Sequence, residues 1–277
     1  MAPLVVVLVT TTILPIGYMV ALALGDEDGD LGITSVQGVA NFGTALASGA
    51  LWRSVALAVE FLVGALAIEI VLGVSAALLL DRLVPRNPVV RMLLLWPAVL
   101  PPIAVALVFK YLLQGDIGLV SYYLSAVGID QAWLTQAESA MGVIIAVDVW
   151  QYTPFVILLT LAALAGFPPE LREAAHIDGA GPLTVIRYVV LPVIAPAIVA
   201  ITLLRFIDAI QVFPTIYVLT RGGPGSSTQL LTYFNYQVFF GELRFGLGAA
   251  IAVLVVVFTM ACVVMLLALQ RRMERAL

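Results

Sequence analysis

Apolar residues run through this chain in blocks too long for the core of a water-soluble domain. Six segments, roughly 4–24, 55–80, 92–113, 139–166, 194–219 and 246–269, are each mostly apolar over the length needed to cross a bilayer as a helix. Prolines interrupt several of them, at Pro15, Pro97, Pro101, Pro102, Pro154, Pro196 and Pro214. Within a membrane such breaks are tolerated where neighbouring helices re-satisfy the freed backbone groups. The pattern predicts an all-α, polytopic membrane protein with six transmembrane helices. It forms one transmembrane domain over residues 1–277, with no soluble domain and no internal repeat.

The polar connections set an orientation. One set, at 81–91, 167–193 and the tail from 270, carries Arg82, Arg86, Arg91, Arg172, Arg187, Arg271, Arg272 and Arg275. The other set, at 25–54, 114–138 and 220–245, carries only Arg53, Arg221 and Arg244. The positive-inside rule places the first set in the cytoplasm, and both termini with it. The acidic run Asp26, Glu27, Asp28 and Asp30 then falls outside, as do Asp116 and Asp130. The first apolar run lacks the basic flank of a signal peptide and reads as a retained helix. It begins almost at residue 1, so a longer natural N-terminus is expected.

Composition agrees. The 277 residues are 62% hydrophobic and 11% charged, with mean hydropathy +1.11, whereas soluble domains carry about 25% charged residues. Lipid is therefore the main solvent. A net charge of −4 argues against a nucleic-acid partner. The single cysteine, Cys262, can form no internal disulfide, and one histidine, His176, leaves no ligand set for a structural metal.

The polar segment between the fourth and fifth spans is the most informative. Pro168-Pro169 ends one span and starts a new helix, since proline suits the first helical turn. Glu170 and Glu173 sit near its N-terminus, where the helix dipole favours acid. Leu171, Ala174 and Ala175 share a face, and the alanines permit close approach of a partner. Asp178-Gly179 turns the chain, because glycine accepts positive φ cheaply. Gly181-Pro182 starts a second short helix, and Leu191-Pro192 leads into the next span. The expected object is a helix–turn–helix knob on the membrane surface.

The string Glu173-Ala174-Ala175, three residues, Gly179, nine residues, Val189-Val190-Leu191-Pro192 resembles the EAA loop of permease subunits of ABC importers. Only Val189 departs from that pattern, replacing isoleucine. Thr220-Arg221-Gly222-Gly223-Pro224, Ser227-Thr228 and Tyr233-x-x-Tyr236-x-x-Phe239 are similar to the outer loop of its sugar branch, the MalF- and UgpA-like permeases. The resemblance runs from about residue 50 to the end.

It implies a MetI-like, type I importer fold in the cytoplasmic membrane. It implies a second permease subunit, two ABC ATPases on the cytoplasmic knobs and an extracytoplasmic solute-binding protein. This chain would hold no cofactor and be no enzyme, with ATP and Mg bound by the ATPases. Glu173 would pair with a basic group of the ATPase, Ala174 and Ala175 would seat the knob, and Asp178-Gly179 would shape its turn.

Charged groups inside membrane spans are costly and are functional candidates by default. Glu60 and Glu69 lie in the second span, Lys110 near the outer end of the third, Asp148 in the fourth, and Arg205 and Asp208 in the fifth. Asp148, Gln151, Tyr152 and Phe155 form one helical stripe, and Arg205, Asp208, Ala209 and Val212 another, with Gln211 alongside. Hydrogen-bonding groups beside aromatic faces suit sugars. The resemblance independently implies substrate contact at Gln151, Tyr152, Phe155, Arg205, Asp208, Ala209 and Val212. The charges at Arg205 and Asp208 depart from the maltose case, so an anionic or amino-bearing solute stays open. So does a plain structural role, in which Arg205 and Asp208 neutralise each other as buried glue. Glu60 and Glu69 read as interhelical hydrogen-bonding groups, and Lys110 as a residue snorkelling to the interface.

No P-loop, nucleophile elbow or H-E-x-x-H motif occurs, and Lys110 is the only lysine. The expected function is a permease subunit moving a sugar or sugar-like solute by ATP-driven alternating access. An ABC permease for another solute, an ion-coupled transporter using the intramembrane charges, and a membrane scaffold are the alternatives.

Overall fold

The computed structural model describes residues 6–7, 9–26, 36–83, 88–115, 117–128 and 132–276. Glu27, Asp28, Asp30, Arg86, Asp116 and Asp130 lie outside the described residues, as do the side chains of Arg82, Arg91 and Arg275. Every regular element among the described residues is helical. They are α1 (Val9–Ala23), α2 (Ala40–Ala47), α3 (Gly49–Leu83), α4 (Pro88–Val99), α5 (Pro102–Leu112), α6 (Leu119–Ala126), α7 (Ala137–Ala165), α8 (Pro169–Ile177), α9 (Pro182–Ala209), α10 (Pro214–Leu219), α11 (Leu231–Tyr236) and α12 (Phe245–Ala276).

Proline sets many of the starts. Helices α5, α8, α9 and α10 all begin at one, where the missing N–H has no intrahelical role. Two expected spans are redrawn for the same reason. The third is split into α4 and α5, because Pro101 and Pro102 each disfavour helical backbone at the residue before them. The fifth begins at Pro182 and ends at Ala209, and residues 214–219 form the separate α10. The second short helix expected after Gly181 is therefore the first part of α9. Continuity across Pro192 is kept by a π-helical turn at Ile186–Val190, where Leu191 N donates to Ile186 O. A wider turn accommodates the ring that would clash in a regular α-helix.

Among the described residues four helices, α3, α7, α9 and α12, are long and apolar enough to cross a membrane, and α1 and α5 are shorter apolar helices. Valines and leucines such as Val63, Val71, Leu79 and Val264 project outward from them uncovered, as lipid-facing surfaces do.

Helix α3 packs along α7, with α4 and α9 against the same α7, and α12 holds α1 and α9. One buried cluster joins Phe61 and Ala65 of α3, Val105 of α5, Ile144 and Val147 of α7, Phe206 of α9 and Ile216 of α10. A second, nearer the α8 end, joins Ala77, Ile157, Leu161, Leu164, Val185 and Ile194. Between them, α3 and α7 touch at Gly73, where an added Cβ would sit 2.4 Å from Val156 Cγ1. Helices α3, α7 and α9 each bring a charged residue into the layer between these apolar clusters.

Candidate functional site

That layer centres on Arg205, only 1% exposed. Its Nε donates to Glu69 Oε2 at 2.8 Å and its Nη2 to Glu69 Oε1 at 2.9 Å, a bidentate pair across α9 and α3. Nη2 also donates to Asp148 Oδ2 of α7 at 2.9 Å, and Nη1 to Asp208 Oδ2 one turn along α9. Its Cζ lies 3.9 Å from the ring centroid of Tyr152, a cation–π contact. A guanidinium in an apolar interior is tolerated when it is paired and hydrogen-bonded. Here three carboxylates take four of its five N–H groups, and an aromatic face covers it.

The Arg205–Asp208 pair read from the sequence is thus present, inside a larger network. Glu69, fully buried, is the interhelical partner expected of it. The sequence did not show that Glu69 and Asp148 converge on Arg205. The available signal was that a lone arginine in an apolar span needs more than one carboxylate. Glu60 lies exposed instead, because nine residues at 100° each turn it to the opposite side of α3 from Glu69.

Asp208 differs from its partners, being 57% exposed. It borders two cavities. One, of about 290 Å³, is lined by Ala98, Tyr152, Phe155, Leu204, Arg205 and Asp208. The other, of about 170 Å³, is lined in part by Asp148, Tyr152, Asp208, Ala209, Gln211 and Val212. Seven of the eight positions expected on the substrate path therefore meet at two adjoining hollows. Ala98 and Leu204 were not anticipated, although Leu204 lies one helical turn from Asp208. The eighth, Gln151, lines neither cavity. It is buried, and its Nε2 donates to Leu100 O at 3.0 Å, supplying the carbonyl at the α4–α5 break.

The knob consists of α8, its turn and the start of α9. Glu170, Glu173, Ala174, His176, Ile177 and Asp178 are exposed on and beside α8. The helix ends in a Schellman motif, with Gly179 at φ +78°, Gly179 N donating to His176 O and Ala180 N to Ala175 O. Ala175 is half-buried against the chain's own second cluster, leaving Ala174 as the freely presented alanine. An unanticipated tie fastens the knob to the spans: Arg172 Nη2 donates to Asp81 Oδ2 of α3 at 3.3 Å. The Arg172 guanidinium also lies 5.6 Å from the Phe167 ring centroid.

At the opposite end, residues 220–228 form a compact turn. Arg221, Gly222 and Gly225 have positive φ, the Gly223–Pro224 bond is cis, and Thr228 Oγ1 donates to Gly223 O at 2.8 Å. Tyr233 leaves no room for a Cβ at Gly222. Phe213, Tyr217, Tyr233, Tyr236 and Phe240 form a continuous aromatic group beneath it. Lys110, expected to snorkel, instead donates from Nζ to Val218 O at 2.9 Å, tying α5 to α10.

A sequence model described as binding-protein-dependent transport system inner membrane component matches residues 69–275. The trehalose/maltose transport system permease protein MalF of Thermococcus litoralis is 35% identical over 237 residues, covering 84% of this chain and 79% of that protein. The trehalose transport system permease protein SugA of Mycobacterium tuberculosis is 33% identical over 255 residues, covering 92% and 81%. The fold matches a bacterial ABC transporter involved in import of the acidic polysaccharide alginate, at TM-score 0.82 and 22% identity, covering 98% of this chain and 93% of that one. The chain belongs to the family of binding-protein-dependent transport system inner membrane components.

Proposed function

We propose, from that membership, that this multi-pass membrane chain is one half of the translocation path of an ABC importer for a sugar or sugar-like solute. The observation that carries the proposal is the exposed knob of α8, closed by the Schellman turn at Gly179 and pinned to α3 through Arg172 and Asp81. Such a knob is a rigid body that a separate ATPase can push. The sugar class rests on the relatives named for trehalose and maltose transport and on the hollow where Asp208 stands beside Tyr152 and Phe155.

In this reading six spans cross the membrane with both termini in the cytoplasm. A second permease completes the path, and two ATPases, which hold ATP and Mg, receive the two knobs. A solute-binding protein delivers the solute to the end carrying residues 220–245. Glu173 makes a charge-assisted contact with the ATPase, Ala174 and Ala175 set the close fit, and Asp178-Gly179 preserve the turn. ATP binding draws the ATPases together and moves the knobs. Because α9 runs unbroken from the knob to Arg205 and Asp208, that displacement reaches the site directly. The hollows bordered by Asp148, Tyr152, Phe155, Arg205, Asp208, Ala209 and Val212 then open alternately to either side. Gln151 supports them by holding the α4–α5 break.

The test is solute uptake into vesicles holding the complete complex, with ATP supplied on the ATPase side. ATP-dependent uptake of a sugar that Glu173→Ala lowers at least tenfold, with unchanged amount of assembled complex, is the expected result. Uptake driven by a proton gradient without ATP, or unaffected by Glu173→Ala, would overturn the reading.

A further inference from the structure

We infer that the cavity beside Asp208 selects by charge, accepting uncharged or amino-bearing polyhydroxylated solutes and rejecting those carrying a carboxylate or sulfonate. This deepens the proposed function and rests on the reading that this cavity lies on the transport path.

The argument starts from what Arg205 has left to offer. An arginine lining a sugar cavity suggests an anion site. Here its Nε, Nη1 and Nη2 are already directed at Glu69, Asp208 and Asp148, and one face is stacked on Tyr152. It borders the larger cavity, but at 1% exposure and with four of its five N–H groups taken it has little surface to offer a solute anion. Three carboxylates surround one guanidinium, so the cluster carries two negative charges in excess. A proton on one of them still leaves one. The excess is not buried evenly: Glu69 is enclosed, Asp148 touches the smaller cavity but is only 4% exposed, and Asp208, 57% exposed, stands open to both cavities. What a solute meets is therefore a carboxylate, with the aromatic rings of Tyr152 and Phe155 in the same wall. A carboxylate only accepts hydrogen bonds. Hydroxyl and ammonium groups satisfy it, while a solute anion is repelled in a hollow where charges are weakly screened.

Reagent access measures this potential without any knowledge of the solute. In the complete complex, Cys262 is replaced by serine and Leu204, in the wall of the larger cavity, by cysteine. Modification rates are compared for a cationic and an anionic methanethiosulfonate of similar size, each normalised to its rate on a free thiol. Normalised cationic modification should exceed anionic on the order of tenfold, and Asp208→Asn should reduce that ratio several-fold. Equal rates, or a faster anionic reagent, would overturn the inference while leaving the ATP-dependent uptake test untouched. If neither reagent reacts, although the thiol titrates after denaturation, water does not enter the cavity, and the inference falls together with its place on the path.

Discussion

Glu69 and Arg205 stand 136 residues apart in the chain, yet they form a two-pronged ion pair with both side chains sealed from solvent. The pair joins α3 to α9, and Asp148 extends it to α7. Removing Glu69 leaves two buried N–H donors of the guanidinium without an acceptor, at a cost of about 1–3 kcal/mol or more for each. Glu69→Ala should therefore markedly lower the yield of folded chain and its thermal midpoint in mild detergent. Asp208→Asn should lower the midpoint far less, because that carboxylate is largely exposed. Equal losses in the two variants would mean that the bidentate pair does not dominate.

Gly73 sets how closely α3 and α7 approach. A Cβ there would lie 2.4 Å from Val156 Cγ1 and 2.7 Å from Val156 Cβ. Overpacking of this kind costs about 1–3 kcal/mol, so Gly73→Ala should depress the thermal midpoint. Gly64→Ala on the same helix meets Ile145 Cδ1 at 2.9 Å, the far end of a side chain that can swing aside. It should be milder, and the ordering of the two midpoints is the measurement.

Gly179 is constrained by backbone rather than by space. Its φ is +78° and nothing lies within 4 Å of an added Cβ. Gly179→Ala should cost roughly 1–2 kcal/mol locally, and Gly179→Asn less, since asparagine tolerates the left-handed region. Amide exchange over residues 169–180 should quicken in the alanine variant, and ATP-dependent uptake should fall in the same order. Unchanged exchange with lost uptake would show that the turn is not the cause.

Gln151 supplies the carbonyl that the double proline leaves bare. Gln151→Leu keeps the volume but leaves Leu100 O unpaired, at a cost of about 1–3 kcal/mol. Stability should fall, while the charge preference of a cysteine at position 204 stays as it was. A changed preference would place Gln151 in the cavity wall after all.

By itself, the order of residues determined the class of solvent, the helical architecture and the knob. Long apolar runs require lipid and intrasegment hydrogen bonding. Proline, alanine and glycine at fixed spacing dictate a helix start, a close-packing face and a left-handed turn over a few adjacent residues. Those are local rules, and the Schellman turn at Gly179 obeyed them. Local rules also placed Tyr152, Phe155 and Asp208 on helical stripes that do meet at a hollow. They did not reveal which of two adjacent polar residues such as Gln151 and Tyr152 would be spent on the break at Pro101, or that Glu60 would face outward while Glu69 faced in. Those outcomes depend on helix rotation and on which helix lies opposite. The tertiary structure alone decided that Glu69 and Asp148 join Asp208 around Arg205, because those two come from helices that the chain order keeps far apart. That convergence turns a lone positive charge in the sequence into the centre of three carboxylates in the fold.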